Sequence, residues 1–476
     1  MRKHRDTDAA RRKRICHECV GETYLAEMIA ASGHPARCSY CDDTAPAWSI
    51  SELADQIEAV FERHYTRTSE QPEHSYMFEH GWEREGAPVI DAIEAAAGIP
   101  REAAEDAQET LNERFWDKDS AMLGEETEFC AESHYEETFS GDHAWRREWR
   151  EFENSIRTEA RFFSKAAASH LAKVFGAIDK LQAGHGSLVV QAGPGHRLKH
   201  LFRARVFQAT EGVEKGIGRP DKELGPPPPK LASAGRMNAA GISVFYGATR
   251  AEVAISEVRP PVGSRVVVAK FHLTRSIKLL DLTALDTVVE KGSIFDPHYR
   301  ERLARAFFLR SLGGQMTRPV MPDDQTLDYL PTQAIADFLA TENAPTFDGI
   351  IFQSAQIAGG RNVVLFRKAA RVEEIALPQG TEISVHSYQD TEDGPELDYS
   401  VTELVPPAAK VPTSPRLFID TEWGDVPFEE SVLPRPVSLR VDPESVTVHE
   451  VRSVLYRTAR NTVSRTRWEK RDHNEF

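Results

Sequence analysis

Two Cys-x-x-Cys pairs near the start of the chain, Cys16-His-Glu-Cys19 and Cys38-Ser-Tyr-Cys41, constrain the fold more than any other feature. Each pair offers two soft ligands from one tight turn, and two such turns separated by eighteen residues close a tetrahedron around zinc. Four thiolates leave no open coordination position, so the expected role is a structural zinc site and not catalysis. The competing reading is a pair of redox dithiols. The fifth cysteine, Cys130, stands alone and reads as an inert, half-buried thiol, so no disulfide framework is expected.

A chain of 476 residues exceeds one ordinary core and predicts two or three domains. No apolar run approaches the length that spans a bilayer. The charged opening, Met-Arg-Lys-His-Arg-Asp-Thr-Asp, has no secretory character, so the expectation is a soluble, cytoplasmic protein with no membrane partner. Net charge is -16, from 74 acidic and 58 basic residues. That balance argues against a nucleic-acid partner in general, because phosphate contacts need clustered Lys and Arg. Basic ends at residues 2–14 and 457–471 are either local binding patches or solvated tails.

Residues 48–181 are helical in character. Leu53, Ile57, Val60 and Phe61 fall at helical spacing, residues 89–97 and 103–115 continue the pattern, and residues 145–178 carry a long apolar stripe. After Gln191-Ala-Gly-Pro-Gly-His196 the composition changes to short β-type runs separated by Gly and Pro. Strands are expected at 201–207, 266–273, 279–282, 349–352, 362–366, 383–388 and 446–456, with helices over 299–312 and 331–340. The proline-rich stretches 404–415 and 420–436 read as loop or linker.

Residues 235–260 hold an odd acid. Gly-Arg-Met-Asn leads into an apolar strand, 242–246, and then a short helix, for which Thr249 and Glu252 predict a capping box. Glu257 falls one turn after Val253 and Ala254, on the face such a helix normally buries. Either it forms a buried ion pair with a nearby arginine or it is a catalytic carboxylate in a cleft.

An ordered set runs through this half of the chain: Arg203, the Gly235-Arg236-Met237-Asn238 turn with Tyr246 and Glu257, Tyr329-Leu-Pro-Thr-Gln333, and Asp348-Gly-Ile-Ile-Phe-Gln-Ser354. This set resembles the RES family, named for its arginine, glutamate and serine, over roughly residues 197–370. The resemblance matches Arg203, Glu257 and Ser354 to those three residues. It implies a fold similar to that of the ADP-ribosyltransferases and destruction of NAD+, by cleavage of the nicotinamide–ribose bond with phosphate or water as acceptor. Known members are largely bacterial toxins of toxin–antitoxin pairs. The chemistry suits these residues. The leaving group is already cationic and needs no general acid, so one carboxylate suffices to stabilise an oxocarbenium-like ribose. Arg203 and Arg236 are candidates for the diphosphate, Tyr246 for stacking on nicotinamide, and Ser354 for positioning the ribose or the nucleophile. Asn238 and Asn362 are further substrate-binding candidates. Arg205 shares a strand face with Arg203, and only one of the two need reach the site. Gln333 is expected to fix local backbone.

The first part of the chain resembles the HEPN-related module that accompanies some longer RES proteins. A working HEPN ribonuclease carries Arg, four to six residues, then His. Here Arg67 and His74 have that spacing, but Gln71-Pro72 interrupts the helix, and Arg161 to His170 is too wide. The domain is therefore expected to recognise a partner or restrain the toxin.

The expected architecture is multidomain: a zinc knuckle (1–45), an α-helical HEPN-like domain (46–190), an α+β RES domain (191–385) and a C-terminal extension that completes or flanks it (386–476). The expected partners are NAD+ as substrate and an antitoxin or regulatory protein, with room for a homo-oligomer. The alternatives are an ADP-ribosyltransferase acting on a macromolecule, and a non-catalytic RNA-binding or scaffold protein.

Overall fold

The computed structural model describes residues 12–70, 84–138, 141–161, 163–184, 186–391, 394–407 and 435–468. Most of residues 2–14, His74 with Gln71-Pro72, most of the loops at 404–415 and 420–436, and the end of the 457–471 stretch lie outside them. The chain divides into two compact units. One is drawn from Met1–Leu188, Thr283–Met316 and Asn343–Pro345, the other from Val189–Leu282, Thr317–Glu342 and Thr346–Phe476. Residues in the middle of the β-rich half therefore group with the first unit.

In the first unit the cysteine turns frame a three-stranded sheet in which Thr44–Ser49 lies between Arg14–Cys16 and His34–Arg37. Ser49 then starts the helix Ile50–His64 with a capping box, its side chain taking the Glu52 amide while the Glu52 carboxylate takes the Ser49 amide. Leu53, Ile57, Val60 and Phe61 on its inner face pack with Ile93, Ala104 and Leu111 from the next two helices, Val89–Ala97 and Arg101–Arg114. The buried carboxylate of Asp106 ties the cysteine turns to this core. It takes Lys13 Nζ at 2.6 and 2.8 Å and the Tyr40 hydroxyl at 2.7 Å.

The apolar stripe at 145–178 is not one helix but two, His143–Thr158 and Lys165–Phe175. The second begins where the Ser164 hydroxyl takes the Ala167 amide, a cap that ends helical continuity. Trp145 and Trp149 pack on Phe308 of the helix Tyr299–Thr317. His170 lies against Phe152 and Trp149, and burial lowers its pKa.

The second unit is built on an eight-stranded sheet. Its strands are β1 (Val189–Ala192), β2 (His200–Phe207), β3 (Phe245–Ala248), β4 (Arg265–Leu273), β5 (Ile277–Asp281), β6 (Gly349–Gln353), β7 (Arg361–Leu365) and β8 (Leu439–Glu450). Their order is β8-β4-β2-β3-β7-β6-β5-β1, with β5 and β6 parallel and all other neighbours antiparallel. The run Val266-Val267-Val268-Ala269 is apolar throughout because β4 is covered on both faces. Val267 and Ala269 meet Val213 and Ile217 of helix α1 (Thr210–Gly218), whereas Val266 and Val268 meet Val253 and Ala254 of helix α2 (Ala251–Glu257).

Three sequence expectations need correction here. The strand expected at 242–246 is β3, displaced to Phe245–Ala248. Upstream, the Asn238 side-chain amide binds the Ile242 carbonyl, and the Ile242 amide binds Ala239 O, so the backbone there is committed to a turn. Helix α2 has Arg250 at its N-cap with no side-chain cap, because the Thr249 hydroxyl donates to Arg361 O at 3.3 Å instead. The closing strand comes earlier than 446–456, since β8 ends at Glu450. A hairpin of Glu382–Thr391 and Gly394–Leu404 includes a second strand that periodicity did not show.

Replacing Asp106 with alanine leaves the Tyr40 hydroxyl and the Lys13 ammonium without their shared acceptor. The expected loss is about 2–3 kcal/mol, the scale of charge-assisted hydrogen bonds after discounting the half-exposed lysine. Urea unfolding read from the first unit checks this, and an unmoved midpoint would refute the anchoring role of Asp106.

Candidate active site

The Gly235–Asn238 turn is fixed from several sides. Gly235 N–H donates to Asn238 O at 3.0 Å, the Tyr246 hydroxyl donates to Asn238 Oδ1 at 2.8 Å, and Met237 N–H donates to the same hydroxyl at 3.0 Å. The Asn238 amide nitrogen donates to the carbonyls of Ser233, Ala239 and Ile242. Helix α3 (Leu330–Thr341) adds Gln333 Nε2 to Gly235 O at 2.8 Å and the Thr332 hydroxyl to Arg236 O at 2.5 Å. A Cβ on residue 235 would stand 2.6 Å from Asn238 Oδ1 and 2.7 Å from the Tyr246 oxygen, so only glycine fits.

This turn delivers Arg236 to the wall of a pocket of about 440 Å³ that also holds Arg203, Tyr246, Glu257 and Asn362. Arg236 stacks over the Tyr329 ring at 5.0 Å and donates to Arg318 O at 2.8 Å. The pocket opens where β2 and β3 pair only through Phe202 and Ala248. Arg203 lies over the Phe245 ring at 4.9 Å, and its Nη1 is closed off from water with no hydrogen-bond partner among the described residues. Burial, and then the nearby Arg205 charge, lower its pKa to about 10, so it stays charged at neutral pH. Asn362 Nδ2 on β7 is likewise buried and without a partner. Burial raises the Tyr246 hydroxyl to about 12, which keeps it a neutral donor.

Glu257 is the last residue of α2. Among the described residues it forms no ion pair with an arginine. Its Oε1 instead accepts the Ser354 hydroxyl at 2.5 Å. That hydroxyl oxygen accepts the amides of Gln356 and Ile357, each at 3.1 Å, and Ser354 N–H donates to Gly360 O at 2.8 Å. Ser354 is buried and is not on the pocket wall; it acts on Glu257 from behind.

Arg205 and Asn238 stand outside the pocket. Arg205 points to Glu223, whose carbonyl and carboxylate it binds at 2.6 and 3.0 Å, and Asn238 is consumed by its own turn. The wall includes residues that the sequence reading did not single out, among them Arg259, Gln325 and Gln353. Tyr329 also lines it, and its signal was present in the Tyr329–Gln333 helix start, where only the backbone role of Gln333 was read.

The four cysteines belong to the first unit, and their Sγ atoms all lie within 4.8 Å of one another. Cys16 and Cys41 are 3.6 Å apart, and Cys19 and Cys38 are 3.8 Å apart. A tetrahedron of thiolates at the zinc–sulfur distance has an edge of about 3.8 Å. The amides of Cys16 and Tyr40 point at Cys38 Sγ. Burial raises the Cys38 pKa, but these amides and that of Cys41 outweigh it and bring the thiol down to about 7. The set can hold a metal ion.

No curated protein and no solved structure gives a significant match to this chain. Two family models do match: RES domain over residues 213–387, which include Arg236, Tyr246, Glu257 and Ser354, and HEPN/RES N-terminal domain 1 over residues 31–170. The chain is a RES-domain protein with a HEPN/RES N-terminal domain ahead of it.

Proposed function

We propose that this protein degrades NAD+ by cleaving the nicotinamide–ribose bond, with phosphate or water as acceptor, and that it acts as a bacterial toxin or defence effector in the cytoplasm. The observation that carries this reading is the Glu257 carboxylate, aimed by Ser354 at a pocket whose other charged wall residues are arginines. Departure of nicotinamide moves positive charge from the ring onto the ribose. A fixed carboxylate beside that carbon stabilises the charge without any proton transfer. Arg203 and Arg236 hold the diphosphate, and the donors Arg203 Nη1 and Asn362 Nδ2, unpaired among the described residues, are available to the dinucleotide's oxygens. The Tyr246 ring stacks on nicotinamide while its hydroxyl stays in the turn. The sheet with a helix on either face is compatible with the ADP-ribosyltransferase-like fold that the family implies. The four cysteines hold zinc, which supplies structure and no chemistry to the pocket. The N-terminal unit recognises an antitoxin or other regulator.

Purified protein incubated with NAD+ is expected to release nicotinamide. Glu257→Gln should lower that rate by about a hundredfold to a thousandfold, the scale of losing one preorganised electrostatic group. Release by the glutamine variant at the wild-type rate would sink the proposal.

Ser354→Ala keeps the carboxylate but loses its aim. The expected fall in kcat is about tenfold to a hundredfold, as for a misplaced catalytic group, with a smaller change in KM for NAD+. An unchanged kcat would remove Ser354 from the mechanism.

Elemental analysis is expected to find about one zinc per chain. Cys38→Ser should abolish that content and lower the thermal midpoint. Full zinc content in the serine variant would exclude the four-thiolate site.

A further inference from the structure

Among the described residues, three guanidinium groups line the pocket with one carboxylate, and the proposed dinucleotide accounts for only two of them. Arg203 and Arg236 match the two negative charges of a diphosphate. Arg259 lies on the same wall two residues beyond Glu257, and it is exposed. Its backbone has φ 46°, in the left-handed region that is strained for any residue with a bulky side chain. Glycine or asparagine would fit there more easily, and strain of this kind points to a use for the side chain. With its carbonyl oxygen facing the guanidinium, the Gln356 amide accepts from Arg259 Nε at 3.2 Å and Nη2 at 3.1 Å. The Gln356 backbone amide in turn donates to Ser354 Oγ. One turn therefore positions both the Glu257 carboxylate and the Arg259 guanidinium. A neutral amide directs the guanidinium without cancelling its charge, and among the described residues Arg259 forms no ion pair.

We propose, resting on the NAD+-cleaving reading above, that Arg259 binds inorganic phosphate as the acceptor and sets the preference for phosphate over water. The nucleophile has to approach the ribose carbon beside the Glu257 carboxylate. Water meets no charge barrier there, whereas a phosphate dianion is repelled unless a cation lies alongside. In the step itself the bond from the ribose C1 to the nicotinamide nitrogen breaks, and its electron pair stays on nicotinamide. A phosphate oxygen donates a pair to that carbon, and the hydrogen phosphate proton passes to solvent. The products are nicotinamide and ADP-ribose 1-phosphate, with nothing oxidised or reduced.

The test compares wild type, Arg259→Gly and Arg259→Lys across a series of inorganic phosphate concentrations, following nicotinamide release and identifying products by mass. Glycine adopts φ 46° without strain, so the first variant keeps the backbone and removes only the guanidinium. Wild type is expected to form ADP-ribose 1-phosphate. Arg259→Gly should raise KM for phosphate by about tenfold or more, the scale of a lost charge-assisted hydrogen bond. KM for NAD+ should change less than about twofold. Arg259→Lys, which keeps the charge but not the fork, should fall between the two. An unchanged KM for phosphate overturns the inference, as does a parallel rise in KM for NAD+, which would place Arg259 on the dinucleotide. Wild type forming ADP-ribose alone in saturating phosphate also overturns it but leaves NAD+ cleavage standing. No nicotinamide in any buffer removes both readings together.

Discussion

The hydrogen bond from Ser354 to Glu257 is the contact on which the rest of the pocket depends. A carboxylate on the last residue of a helix stands where the backbone carbonyls already concentrate negative charge. Nothing in α2 itself would hold it in one rotamer, and among the described residues no arginine pairs with it. The compensation comes from outside the helix, as two backbone amides that feed Ser354 Oγ, whose proton then goes to Glu257 Oε1. Donors in series polarise one another, so the hydroxyl is a stronger donor than an isolated serine. Gly360 allows this turn to close, since a Cβ there would come within 3.0 Å of both Ser354 Cβ and Val253.

The opposite wall is left deliberately short of partners. Arg203 Nη1 and Asn362 Nδ2 are buried donors with no acceptor among the described residues, a state that costs about 1–3 kcal/mol for each group. Such groups persist when surrounding structure holds them, and here β2 and β7 are anchored by antiparallel pairing to β4 and β6. Between them β3 is short and meets β2 at a single pair, so the sheet provides its own opening next to the unsatisfied donors. A ligand rich in acceptor oxygens would recover the lost hydrogen bonds on entering.

Much of this was legible in the sequence, for identifiable reasons. Strands β2, β4, β6 and β7 were readable because burial imposes period two or a continuous apolar run, and Glu257 stood out because an acid broke such a pattern. What could not be read depended on long-range hydrogen bonds. The Thr249 cap was lost to a carbonyl more than a hundred residues away, and the expected strand start was taken up by Asn238. Arg203 and Arg205 are equivalent in the alternation of β2; only the position of Glu223 separates them, by drawing Arg205 aside. Arg259 carried no periodic signal at all, because its role is set by a left-handed backbone angle and by Gln356, neither of which a pattern of apolar residues records.

The polarity of the pocket suits the proposed chemistry. A reaction whose leaving group must first be protonated needs an acid with a pKa near the working pH, and so a carboxyl group placed among apolar neighbours. Departure of a group that is already cationic needs the reverse, a carboxylate that stays ionised and does not move. Ser354, itself held by two backbone amides, fixes the Glu257 carboxylate in place, and guanidinium groups share its wall. The over-determined Gly235–Asn238 turn keeps Arg236 in place and holds the Tyr246 hydroxyl on Asn238 Oδ1. The arrangement is suited to stabilising a transient positive charge and poorly suited to general acid catalysis.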